Sequence, residues 1–104
     1  MADGGRETEG KRELSRWVTM AEVVEAVERV TGESREVWLA RRGGAGKALA
    51  MWAARRYAGR TLRETGEALG GLDYAAVSVA IRRLEREATR NPERRIAMEG
   101  LARL

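Results

Sequence analysis

The sequence predicts an all-α fold, a compact bundle of about five to six helices that contains a helix-turn-helix. Three observations lead there. The 104 residues include one proline and no phenylalanine, and Ala, Arg, Glu, Leu and Val dominate, so helix formers outweigh strand formers except in short Val pairs. Apolar residues recur at three- and four-residue spacing, the period of a helix face. Capping residues and glycines punctuate the chain at helix-length intervals. A chain this short supports one core, with no room for a catalytic domain beside a binding domain.

Residues 1–18 read as a disordered or linker lead, since Gly, Glu, Arg and Lys leave residues 1 to about 16 with almost nothing apolar to offset the entropy of ordering. Residues 19–104 form the domain. Thr19 and Glu22 make a capping box, and Val23, Val24, Val27 and Val30 give a stripe for a helix over about 20–31, ending near Gly32. Ser34 is placed to cap a short second helix through Leu39, with Val37 and Trp38 turned inward. Trp17 and Trp38 fit core or lid positions better than base-stacking platforms. A third helix over about 46–58 buries Leu49, Met51, Trp52 and Ala53, with Arg55 and Arg56 emerging at its end.

Thr61 with Glu64 makes a second capping box and opens a short helix, which Gly70-Gly71 ends through their freedom to adopt positive φ. Asp73 is placed to cap the next helix. On it Val77, Ala80, Ile81 and Leu84 fall at i, i+3, i+4 and i+7, a core-facing stripe, leaving Tyr74, Ala75, Ser78, Arg82 and Arg83 nearer the other side. Helix, glycine-broken turn and helix form a helix-turn-helix layout, which points to DNA. Asn91-Pro92 starts a last helix over about 92–103, with Asn as cap and Pro at the first position, packing Ile96, Leu101 and Leu104 onto the core.

Composition narrows the function. With no Cys and no His, disulfides, thiolate metal sites, most zinc sites and Ser or Cys triads are excluded, so the sequence points away from an enzyme, a metal or a cofactor. No run approaches the roughly 18 apolar residues of a membrane span, and the charged N-terminus is unlike a signal peptide, which together suggest a cytoplasmic protein. The net charge of +4 is unevenly placed. Residues 20–40 carry five glutamates against two arginines, net −3, whereas residues 41–60 carry six basic residues and no acid. A surface meeting phosphates on one side suits that asymmetry. The run Arg41-Arg42-Gly43-Gly44-Ala45-Gly46-Lys47 is not a Walker loop, because Arg41 stands where the first Gly is needed and Ala48 where Ser or Thr is needed. A flexible basic loop with Arg42 and Lys47 fits a contact to a nucleic-acid backbone or minor groove.

Over roughly residues 20–104 the chain resembles the C-terminal DNA-binding domain of the DnaA-type chromosomal replication initiators, which implies a Trp-repressor-like helical fold. That family's signature Gly-Gly-Arg-Asp-His-Thr-Thr-Val corresponds to Gly70-Gly71-Leu72-Asp73-Tyr74-Ala75-Ala76-Val77. The glycines, Asp73 and Val77 match; Leu72, Tyr74, Ala75 and Ala76 depart from it. The chain is more similar to the initiator-like domain appended to REP-associated transposases of the HUH class. There a Tyr-Ser-Ala-Val-Ser pattern followed by Ala and paired basic residues is common, and Tyr74-Ala75-Ala76-Val77-Ser78, Ala80 and Arg82-Arg83 look like it.

These readings combine into sequence-specific binding of double-stranded DNA by the targeting domain of a transposase-related protein, with no membrane and no small-molecule substrate as partner. Asp73, Tyr74, Ser78 and Arg82 are placed at or near base edges, and Arg42, Lys47, Arg63 and Arg83 at phosphates. Origin binding of the replication-initiator type, or a helical protein-interaction module whose basic surface meets an acidic partner, are the alternatives.

Overall fold

Six α-helices make up the secondary structure of residues 17–41 and 44–104, the part described by the computed structural model: α1 Met20–Thr31, α2 Arg35–Ala40, α3 Ala45–Tyr57, α4 Leu62–Ala68, α5 Tyr74–Ala88 and α6 Pro92–Leu101. No strand occurs among the described residues, and none of these helices is long and apolar enough to cross a membrane. The disordered lead expected over residues 1–16 lies outside the described part. Trp17 and Val18, counted in that lead, are fastened to the domain: the Val18 amide donates to the Tyr57 carbonyl at 2.9 Å, and the Trp17 ring lies over Gly59.

The helix ends follow local signals. Thr19–Glu22 and Thr61–Glu64 both form reciprocal capping boxes, and Asn91 Oδ1 accepts from the amides of Glu93 and Arg94, with Pro92 at the first helical position. The Thr61 amide, donating to the Glu64 carboxylate, holds that carboxyl below the ordinary carboxylate range. Its contribution is therefore present at neutral pH and is lost as the pH falls through the lowered value. Ser34 and Asp73 occupy N-cap positions, but neither side chain caps its helix, contrary to the sequence expectation. In α2 the Ser34 carbonyl itself takes the amides of Val37 and Trp38. In α5 the Asp73 carbonyl takes the Val77 amide, and Tyr74, Ala75 and Ala76 are exposed, so water reaches the first turn.

α3 is the hub, packed against each of the other five helices. Leu49, Ala50, Met51, Trp52, Ala53 and Ala54 are all buried, and the alanines allow neighbouring helices to approach closely. Val23, Ala26 and Val27 of α1, Trp38 of α2, Leu69, Val77 and Leu84 around α5, and Leu101 of α6 complete the core. Trp38 is 1% exposed and lies directly over Gly46, where an added Cβ would stand 2.6 Å from the Trp38 Cβ and Cγ. Two residues expected inside are outside: Val37 is 45% and Ile96 65% exposed. In α2 the adjacent Trp38 takes the inward direction, and six residues cannot bury both neighbours on one face. In α6 the buried side is set by Leu101, with Ala97 and Met98 packed beside it, and Ile96 falls off that side.

Residues 69–73 join α4 to α5. Gly70 and Gly71 have φ of 112° and 76°, the positive-φ glycines the sequence requires here. The Gly66 carbonyl gathers the turn, accepting from Gly71 and Leu72, each at 2.9 Å. Nothing crowds a side chain at Gly71, so Gly71→Val tests conformation alone. It is expected to destabilise the domain by about 1 kcal/mol or more, read as a lower Tm. An unaltered melting curve would mean that this backbone does not require glycine.

Candidate nucleic-acid interface

α5 buries one side and exposes the other. Val77 and Leu84 are buried, Ala80 and Ile81 are half-buried against the core, and Tyr74, Ala75, Ala76, Val79, Arg82, Arg83 and Arg86 are exposed. The core stripe read from the sequence thus fixes the orientation of the helix, and the surface residues follow from the helical repeat.

Two adjoining hollows run along the Tyr74–Arg82 side of α5. The first is lined by Arg55, Thr61, Leu62, Arg63 and Tyr74. The second is lined by Trp52, Arg55, Arg56 and Leu62 on one wall and by Ser78, Ile81, Arg82 and Glu85 on the other. Arg55 and Leu62 belong to both, so α3, α4 and α5 contribute to one continuous surface. It holds Arg55, Arg56, Arg63 and Arg82 against one acid, Glu85.

The arginines from α3 are held in place. Arg55 Nη1 donates to the Arg60 carbonyl at 2.8 Å, which leaves its other donors open to solvent. Arg56 lies over the Trp52 ring at 5.6 Å and the Tyr57 ring at 5.9 Å, and those two rings meet edge to face with centroids 5.8 Å apart. Such support reduces the rotamer entropy lost when a guanidinium binds a phosphate. Asp73 stands at the N-terminal end of α5 with its carboxylate free of any capping bond, so it remains available as an acceptor.

Of the residues the sequence singled out, the structure brings together Arg63, Tyr74, Ser78 and Arg82, with Asp73 immediately before Tyr74. Arg83 is exposed on the opposite flank of α5, beside a third hollow lined by Gly44, Ala45, Ala48, Glu87 and Arg94. Arg83 lines that third hollow and neither of the first two, whereas Arg82 lines the second. Lys47 is half-buried in the first turn of α3 and lines neither of the two hollows. Arg42 lies outside the described residues. Its neighbour Arg41 is engaged with Glu33, Nη1 to Oε1 at 3.1 Å and Nη2 to Oε2 at 2.9 Å. That pairing holds the Glu33 carboxyl below its ordinary range and removes one cation from the basic run over residues 41–60.

Arg55 and Arg56 join this surface without having been assigned a contact from the sequence. The available signal was their position at the C-terminal end of α3, just before the chain enters α4. Comparison of the chain with protein-family models, curated proteins and solved structures finds no match.

Proposed function

We propose that this chain is a double-stranded DNA-binding module in which α4 and α5 act as a helix-turn-helix and α5 enters the major groove. The observation that carries the reading is the convergence of Arg55, Arg63 and Arg82, from three different helices, on one exposed side of α5. A groove-bound helix needs such an arrangement, because phosphates flank both edges of the major groove while base edges form its floor. Tyr74, Ser78 and the unengaged carboxylate of Asp73 supply the groups that meet the floor; Arg55, Arg56 and Arg63 supply phosphate contacts. Arg83 serves the opposite strand, on the other flank of the helix. Asp accepts from cytosine N4, and Arg82 can donate to guanine if it reaches a base edge.

The Tyr74-Ala75-Ala76-Val77-Ser78 run supports a targeting role in a transposase-related protein over origin binding. Tyr74, Ala75 and Ala76 offer neither the imidazole nor the two hydroxyls found at those positions in the replication initiators. A mobility shift on random, selected and origin-box duplexes, titrated in salt, tests the reading. Each phosphate neutralised contributes roughly −0.9 to the slope of log K against log salt, so the expected slope is roughly −3 to −5, with enrichment of a motif other than the origin box. Enrichment of the origin box would restore the replication role. Neither slope nor enrichment would leave a protein-interaction module.

A further inference from the structure

We propose that the outward line of α5, centred on Val79, reads thymine methyl groups on the floor of the major groove. The inference rests on the duplex-DNA reading above and names the chemistry that the site selects. Ala75 and Val79 lie one helical turn apart, Ala76 stands beside them, and all three are exposed, with Val79 45% accessible. Folding alone does not call for a valine there: Val79 lies outside the buried core, nearly half of it remains accessible, and a β-branched residue is a poorer helix former than alanine. Arg82 and Arg86 continue the same outward line toward the C-terminus, and Arg83 flanks it. An apolar centre bordered by cations suits a groove whose edges are anionic phosphates and whose floor carries an apolar methyl wherever a thymine lies.

Major-groove floors present hydrogen-bond donors, acceptors and one apolar group, the C5 methyl of thymine. A helix that carries Ala75, Ala76 and Val79 where it approaches closest cannot satisfy donors or acceptors there. It gains instead by removing a methyl from water. The small alanines permit that approach, and Val79 supplies the branched surface that fits against a methyl. Asp73, at the N-cap six residues before Val79, accounts for an amine-bearing base, so the selected site should pair a thymine-rich centre with cytosine toward one end.

The test starts from the duplex enriched from a random pool by the full chain. Each thymine is replaced singly by deoxyuridine, which keeps pairing and charge and removes only the methyl, and affinity is read by fluorescence anisotropy for wild type and Val79→Ala. One or two positions are expected to lose about three- to five-fold in affinity with the wild-type protein, and Val79→Ala is expected to abolish that loss at the position it faces. Circular dichroism of Val79→Ala should show a folded, helical domain that melts close to wild type, because Val79 lies outside the core and alanine suits a helix. If every deoxyuridine duplex binds as tightly as its parent while the selected motif still outcompetes scrambled DNA, the methyl reading is overturned and the duplex reading stands. Duplex binding without any enriched motif has the same consequence. Equal deoxyuridine losses in wild type and Val79→Ala would remove Val79 from the contact, and absence of duplex binding would overturn both readings.

Discussion

Gly66→Ala is expected to destabilise the domain by about 3 kcal/mol, although alanine is the better helix former by about 1 kcal/mol and Gly66 sits inside α4. Gly66 is fully packed, and a Cβ built on it would run into the carbonyl oxygen of Leu72, with Val77 Cγ2 a further 3.3 Å contact. The obstacle is backbone, so no rotamer change relieves it. The Gly66 carbonyl also accepts from the amides of Gly71 and Leu72, which ties the end of α4 to the start of α5. Added bulk therefore pushes apart the two segments that this carbonyl holds together. Urea unfolding of the variant should show a lower midpoint with an unchanged m-value. Unchanged or increased stability would show that α4 and the following turn are not in contact at this point. Gly71→Val provides the contrast, since its strain is conformational and nothing lies within 4 Å of its added Cβ.

Much of the fold was legible because its signals are local. The capping boxes at Thr19–Glu22 and Thr61–Glu64, the Asn91-Pro92 start and the positive-φ pair Gly70-Gly71 depend on residues a few positions apart. The stripe Val77, Ala80, Ile81, Leu84 fixed which side of α5 faces α3. Gly66 carries no local signal, because its backbone is ordinary helix; what demands glycine there is Leu72, brought close only by the turn. Val37 and Ile96 show the same limit from the opposite side. Periodicity marks residues able to face a core, whereas packing decides which of two neighbours does so.

The candidate interface was legible in part for a related reason. Tyr74, Ser78 and Arg82 share a face by helical spacing alone, so sequence places them together. Arg55 and Arg56 reach that face only because α3 and α5 pack side by side, and no spacing within one helix reports it. Counting charge along the chain also overstates the free cations, since Arg41 is engaged by Glu33 from eight residues earlier. Charge unevenness in a sequence therefore indicates which region is basic; the folded chain determines which of its arginines share a surface.

Replacing Arg55, Arg63 and Arg82 together by Ala is expected to weaken duplex binding by about 3 to 5 kcal/mol, a factor of about 10² to 10⁴, and to lower the salt slope by about two to three units. All three are exposed, and among their polar contacts with the described residues only the bond from Arg55 to the Arg60 carbonyl is at stake, so the fold should survive with a loss of about 1 kcal/mol. The comparison that gives the result meaning is a triple variant with the same charge change at exposed positions away from the hollows, Arg29, Arg35 and Arg103 to Ala. Arg29 and Arg35 sit among the glutamates of α1 and α2, so the control leaves the proposed surface intact. It is expected to lose a few-fold in affinity, the share due to overall charge, with the slope nearly unchanged. Equal losses in the two triples would mean that binding follows net charge alone and that the side of α5 facing Arg55 and Arg63 is not the groove-reading surface. Circular dichroism on both triples separates that outcome from unfolding, because a collapsed fold would lower helicity together with affinity.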